Sequence, residues 1–334
     1  MRAPSRKSGY FEVDLATNLG SLKLDNPVMT AAGTSGHGAE LSAFFDLSKL
    51  GAVVVKSLAA YPFPGNPGPR LLPLPGSMLN SVGLAGPGVV AWEKDYLPRL
   101  RQSGAKTIVS IWGKTVEEYA EASELLKGHL DGIVAIEVNI SCPNLKAKSE
   151  IFSHSPQATR SVIEVVRSIG IPIFAKLSPN THLMAEVAEA AVEAGACGVT
   201  MINTVLGMSI DPLTASLELG GGGGGLSGPA IRPIALRAVY ELKRRMPEIV
   251  IIGVGGISSG QDALAMMLAG ASAVQVGTAT FSDPKAPLRV LGDLVELCAR
   301  LGISRPSDVV GYAPRGMKIT SGFETLSDAK AENR

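Results

Sequence analysis

The sequence predicts an α/β fold, a closed (β/α)8 barrel formed by one domain, on three observations. Eight short apolar runs rich in β-branched residues recur along the chain, at 27–31, 52–55, 107–112, 134–140, 171–177, 198–202, 249–254 and 273–276. Each is followed by a segment whose apolar residues have helical spacing, for example 115–130, 182–194, 231–246 and 261–269. The runs are apolar nearly throughout rather than alternating, as parallel strands covered on both faces are. A length of 334 residues suits a single barrel, which takes about 250 residues before insertions. The competing architecture is a doubly wound open sheet. It places a Gly-x-Gly-x-x-Gly turn after its first strand, and Ala32-Gly-Thr-Ser-Gly36 does not match that pattern.

Taken in order, Phe11-Glu-Val-Asp-Leu and Ser21-Leu-Lys-Leu flank Asn18-Leu-Gly20 and predict a β-hairpin over about residues 11–25 that caps one end of the barrel. The first strand ends at Gly33-Thr34 and the second as Val53-Val-Val-Lys-Ser57. A Pro- and Gly-rich insertion, 61–84, separates the second strand from its helix. The third strand ends at Trp112-Gly113, the fourth at Asn139 with Ser141 and Cys142, and the fifth at Lys176. Asn203-Thr204 ends the sixth, before a second insertion at 206–227 that contains six consecutive glycines, 220–225. Gly255-Gly256 and Gly277-Thr278 end the last two strands. Both insertions fall on the side where barrel enzymes build sites and lids. The glycine run reads equally as a linker or as the pivot of a lid. Nothing marks a second domain within 1–334, and the tail after about 316 reads as weakly ordered.

Lys and Arg total 31 against 30 Asp and Glu, a net charge of +1. No strong field therefore draws the protein to nucleic acid or anionic lipid. Three dispersed cysteines, Cys142, Cys197 and Cys298, without any Cys-x-x-Cys, argue against a disulfide framework and a structural zinc site, and fit a reducing cytoplasm. No apolar run reaches the ~20 residues that span a bilayer, and the N-terminus lacks a signal-peptide core. The four histidines lack metal-ligand spacing.

The strand ends thus carry amides, two lysines, one thiol and glycines. Metal-assisted hydrolysis and two-carboxylate glycoside chemistry lose their usual residues. Redox or carbon-acid chemistry on a planar ligand remains. Glycines after the seventh and eighth strands let backbone N–H groups approach a phosphate, which belongs either to a phosphorylated substrate or to flavin mononucleotide (FMN). A lysine ending an apolar strand must meet an anion; for Lys176 that partner is a ligand or Glu137, which precedes Asn139 by two residues and faces the same way. Cys142, between Asn139 and Asn144, is placed for proton transfer. Trp92 and Trp112 read as packing residues.

Ten segments together resemble dihydroorotate dehydrogenase. They are Asn26-Pro-Val-Met-Thr-Ala-Ala-Gly-Thr, Val55-Lys-Ser, Gly65-Asn-Pro-Gly-Pro-Arg, Met78-Leu-Asn-Ser-Val-Gly-Leu, Val138-Asn-Ile-Ser-Cys-Pro-Asn, Ala175-Lys-Leu-Ser-Pro-Asn, Ile202-Asn-Thr-Val-Leu-Gly-Met, Gly225-Leu-Ser-Gly-Pro-Ala-Ile, Val254-Gly-Gly-Ile and Gln275-Val-Gly-Thr. The cysteine in the fourth-strand loop resembles the cytosolic class 1 enzymes, and the wording after the sixth strand is most similar to the NAD-linked subtype 1B catalytic subunit. The resemblance implies oxidation of dihydroorotate to orotate in pyrimidine synthesis, with Cys142 as base. It implies FMN held by Ala32, Gly33, Lys56, Ser57, Asn139, Lys176, Ile202, Gly228, Gly255, Gly256, Gly277 and Thr278. Substrate would be held by Lys56, by Asn80, Ser81, Val82, Gly83 and Leu84, and by Asn139, Asn144, Asn203 and Thr204. It further implies a homodimeric core and a partner subunit carrying FAD and a 2Fe-2S cluster, although fumarate is an alternative electron acceptor. Ser110-Ile-Trp-Gly113 departs from the family, which often has an asparagine near the flavin there. Competing activities are those of a dihydropyrimidine dehydrogenase-like flavoprotein and of a Schiff-base aldolase-type barrel using Lys56 or Lys176.

Overall fold

The computed structural model describes residues 12–141 and 152–319. Eight parallel strands form one sheet: β1 (Val28–Thr30), β2 (Val53–Val54), β3 (Thr107–Ile111), β4 (Ile133–Asn139), β5 (Ile173–Lys176), β6 (Gly198–Met201), β7 (Ile251–Val254) and β8 (Ala273–Val276). Their spatial order is β1-β8-β7-β6-β5-β4-β3-β2, and a parallel bridge between Met29 and Ala52 brings β1 against β2, closing the ring. All eight predicted runs are therefore barrel strands.

Alternation along the strands sorts side chains into two cores. Val53, Val55, Val109, Ile111, Ile136, Val138, Ala175, Val199 and Met201 face the surrounding helices. Met29, Ala52, Val54, Ile108, Ala135, Phe174, Ile252 and Ala273 fill the barrel interior. The helices start where their sequences provide a cap. Thr115 accepts from the Glu118 N–H at the head of α3 (Val116–Lys127), and Ser155 accepts from Ala158 ahead of α4 (Pro156–Val166). On the same layer lie α1 (Val89–Asp95), α2 (Leu97–Gln102), α5 (Met184–Glu193), α6 (Arg232–Arg245), α7 (Gly260–Ala269), α8 (Ala279–Ser282) and α9 (Ala286–Leu301).

The N-terminal hairpin is present, with its second strand as predicted but a different first strand. Thr17–Leu19 pairs with Leu22–Leu24, with Leu19 opposite Leu22. The two-residue loop therefore begins at Gly20, whose φ of +66° suits the first position of a tight hairpin turn. Residues 12–15 precede the hairpin rather than forming its first strand. Leu19, Leu22 and Leu24 pack with the interior residues and plug the barrel at the end where the strands begin.

The two insertions fold into one antiparallel sheet instead of two separate loops. Its order is Val205–Gly207, Gly224–Ser227, Ser77–Asn80, Leu71–Leu74, so a strand from each insertion meets at its centre. The glycine run is not a loose linker, because at Gly220, Gly221, Gly224 and Gly225 close packing leaves no room for a side chain. A Cβ on Gly224 would lie 2.3 Å from the Asn80 carbonyl oxygen, on Gly225 2.0 Å from Thr204 Oγ1, and on Gly221 2.2 Å from Ser81 Oγ. The predicted weakly ordered tail falls largely outside the described residues, as do Cys142 and Asn144.

Candidate active site

A cavity of about 300 Å³ opens at the C-terminal ends of the strands, under the sheet made by the insertions. Ala32 and Gly33 reach it from β1, Lys56 and Ser57 from β2, Asn139 from β4, Lys176 from β5, and Ile202, Asn203 and Thr204 from β6. Gly255 and Gly256 follow β7; Gly277 and Thr278 follow β8; Asn80, Val82, Gly83 and Leu84 come from the first insertion, and Gly228 directly follows the second. Every described residue implied by the resemblance therefore lines this cavity, with one exception. Ser81 is fully buried and turned away, its hydroxyl donating to the Gly223 carbonyl at 3.1 Å and accepting from Asn66 Nδ2 at 3.0 Å. Extended backbone explains this, since Asn80 and Val82 point one way and Ser81 the other.

Asn139 is held from several sides. Its Nδ2 donates to Ser57 Oγ at 3.2 Å, its Oδ1 accepts from Ser141 Oγ at 3.0 Å, and its carbonyl accepts from the Tyr119 hydroxyl at 2.8 Å. Asn203 Nδ2 donates to Ser141 Oγ at 2.7 Å, which ties the fourth- and sixth-strand amides into one network. The third strand adds no lining residue: Ser110 Oγ lies 2.8 Å from Ser57 Oγ, behind the cavity wall. Trp112 is buried against Tyr61 and Phe63 and supports the first insertion.

Lys56 and Lys176 are the only ionisable side chains among the described lining residues. The cavity is thus cationic and suited to anions. Burial, opposed by the nearby Glu137 carboxylate, holds the Lys176 amine below the usual lysine range. His37, next to Gly36, whose carbonyl accepts from the Lys56 N–H at 3.0 Å, was not singled out by the sequence. Its Nε2 is buried without a hydrogen-bond partner among the described residues, and burial, then the charge of Lys56, lowers its pKa. Only a three-dimensional neighbourhood signals it.

At the far end, Gly255 (φ +134°) and Gly256 (φ +72°) adopt backbone conformations that favour glycine. The turn is braced from behind: Ser258 N–H and Oγ both donate to Asp262 Oδ2 at 3.0 Å, and Arg232 pairs with Asp262. The turn leads into the N-terminus of α7, which adds positive potential. Gly33 (φ +87°) lines the cavity, and a Cβ there would meet nothing within 4 Å, so ligand space begins at its backbone. Leu71, Met78, Ile231, Val254, Ile257 and Phe281, to which the sequence assigned no ligand contact, complete an apolar wall. Their shared feature is position beside an insertion or a βα turn.

A closed barrel whose mouth combines a glycine cradle, two lysine amines, an amide network and an apolar wall has the chemistry to hold a phosphorylated flat group beside a small anion. The family model for dihydroorotate dehydrogenase matches residues 14–298. The chain is 46% identical over 304 residues to the catalytic subunit of dihydroorotate dehydrogenase B (NAD(+)) of Alkaliphilus oremlandii, covering 89% of this chain and 98% of that one. It is 45% identical to the same-named subunits of Geotalea daltonii, covering 89% and 97%, and Desulforudis audaxviator, covering 91% and 99%. The chain belongs to the dihydroorotate dehydrogenase family, oxidoreductases acting on a CH–CH bond, and within it groups with the class 1B catalytic subunits.

Proposed function

We propose that this chain, acting as a single domain, oxidises dihydroorotate to orotate with FMN in the barrel mouth and Cys142 as the base. The observation that carries this reading is the composition of one cavity, in which the β7 and β8 glycines meet Lys56, Asn139, Lys176 and Asn203. Gly255, Gly256, Gly277 and Thr278 would hold the phosphate, while Ala32, Gly33, Ser57, Ile202 and Gly228 would hold the rest of the cofactor. When bound, FMN supplies the acceptor for a hydride.

The chain's own residues then bind, orient and deprotonate. A pyrimidine edge alternates C=O and N–H groups, and Asn80, Asn139, Asn144 and Asn203 offer both acceptors and donors to it. Val82, Gly83, Leu84 and Thr204 shape the same wall, and Lys56 meets the substrate carboxylate. Cys142 takes the C5 proton, acidified by the adjacent C4 carbonyl. Free cysteine has a pKa of about 8.5, so the rate of flavin reduction rises as pH increases from 7 to 9. A partner subunit carrying FAD and a 2Fe-2S cluster would supply the route for electrons to NAD, the core is homodimeric, and the protein works in the cytoplasm. No helix among the described residues is long and apolar enough to cross a membrane.

The test is anaerobic mixing of the yellow, purified protein with dihydroorotate, which bleaches the flavin, and with dihydrouracil, which leaves it oxidised. Bleaching by dihydrouracil alone would reverse the substrate assignment. The Cys142→Ser variant binds orotate but reduces flavin at least 100-fold more slowly, the usual size of a lost general base; reduction at the wild-type rate would remove Cys142 from the reaction.

A further inference from the structure

Beneath the cavity floor, three buried polar side chains from three strands meet inside the barrel: Glu137 on β4, Lys176 on β5 and Gln275 on β8. Gln275 bridges the other two. Its Nε2 donates to Glu137 Oε2 at 2.8 Å, and its Oε1 accepts from Lys176 Nζ at 3.2 Å. The second carboxylate oxygen, Glu137 Oε1, has no hydrogen-bond partner among the described residues and lies 3.7 Å from Lys176 Nζ. Of the three, only Lys176 lines the cavity. Glu137 is therefore placed for the lysine and not for a ligand.

Burying a carboxylate costs several kcal/mol, and apolar side chains of similar volume fill such a layer as well or better. A carboxylate here needs a reason beyond packing. The cavity supplies one: Lys176 sits in a low-dielectric wall, and the other charge lining that wall, Lys56, is also positive. Both conditions disfavour an ammonium. Glu137 is the one carboxylate within ion-pair distance of Lys176 among the described residues.

We propose that Glu137, acting directly and through Gln275, is a positioning residue that favours the charged form of the Lys176 amine and keeps it turned into the cavity, so that the bound flavin faces a cation. This rests on the reading that the cavity holds FMN. A positive charge beside the isoalloxazine stabilises its electron-rich reduced form, so the flavin potential reports the charge on Lys176. Burial lowers the Lys176 amine below its ordinary value, and Glu137 acts in the opposite direction, toward the charged form.

The test is the flavin midpoint potential of the holoprotein at pH 8, by dye equilibration, for wild type, Lys176→Met, Glu137→Gln and the double variant. Lys176→Met lowers the potential. Glu137→Gln lowers it in the same direction, by at least tenfold in the stability of the reduced form, about 30 mV for a two-electron couple. The double variant then matches Lys176→Met. A rise in Glu137→Gln would mean that the carboxylate merely offsets the lysine's charge, and an unchanged value that it is a filler; either overturns the inference. Gln275→Leu leaves both charges in place and lowers the potential by less. Should Glu137→Gln not retain flavin, an unlowered potential in Gln275→Leu overturns the inference instead. A wild-type protein that takes up no FMN defeats the reading of the cavity, whereas an adverse pattern of potentials in loaded protein defeats only the role of Glu137.

Discussion

A lysine at the end of an apolar strand carries its own reason, because an ammonium there needs an anion. For that reason Lys56 and Lys176 were legible in the sequence, and so was Glu137, whose two-residue offset from Asn139 puts both inside the barrel. Ser81 was not legible as a structural residue, because its direction depends on a strand some 140 residues later in the chain. Lys56→Ala weakens orotate binding about 10- to 100-fold, the range expected for losing a hydrogen bond to a charged group. An unchanged dissociation constant in a flavin-absorbance titration would contradict the carboxylate role. Cys298, buried in α9, makes a pH prediction. Burial pushes its thiol up to about 11 from an ordinary value of 9.0. Between those values the unfolded chain has released the proton and the folded chain has not, so stability falls as pH rises through this window, by an amount of order 2 kcal/mol. Urea unfolding at pH 8 and pH 10.5 shows a larger loss for wild type than for Cys298→Ala; equal losses would refute the assignment.

At the scale of elements, the eight strands were readable because each is a continuous apolar run, and most boundaries shift by only one or two residues between prediction and structure. The sheet over the mouth was not readable. Gly224–Ser227 has little strand propensity and is held by pairing to Ser77–Asn80 on one side and Val205–Gly207 on the other. The hairpin strand at Thr17–Leu19 was misplaced for a related reason, since turn geometry at Gly20 sets the register and the apolar pattern alone leaves it open. Gly224→Ala puts a Cβ 2.3 Å from the Asn80 carbonyl oxygen. It raises the KM for dihydroorotate at least tenfold while the melting temperature moves by only a few degrees, because the damage is confined to the sheet over the mouth. A large loss of melting temperature with an unchanged KM would mean that this sheet supports the barrel and not the site.

The whole molecule separates stability from chemistry along the barrel axis. The hairpin plugs the end where the strands begin, and the cavity lies where they finish. Leu19 is fully buried in the plug, so Leu19→Ala destabilises the protein by about 2–5 kcal/mol. Its orotate affinity at 20 °C stays at the wild-type value. Denaturant unfolding and an orotate titration on the same sample check both halves, and a weakened affinity would show that the plug and the mouth are coupled.

Local chemistry along the chain determined the barrel, the placement of its polar strand ends and the family, because apolar runs and short motifs act over a few residues and survive without their neighbours. Tertiary structure alone decided that the two insertions form a single sheet, that most of the glycine run is packed tight, that Ser81 joins the two insertions, and that Gln275 bridges Glu137 to Lys176. Each of these depends on contacts between segments far apart in the chain, and such contacts exist only once the ring of strands has closed.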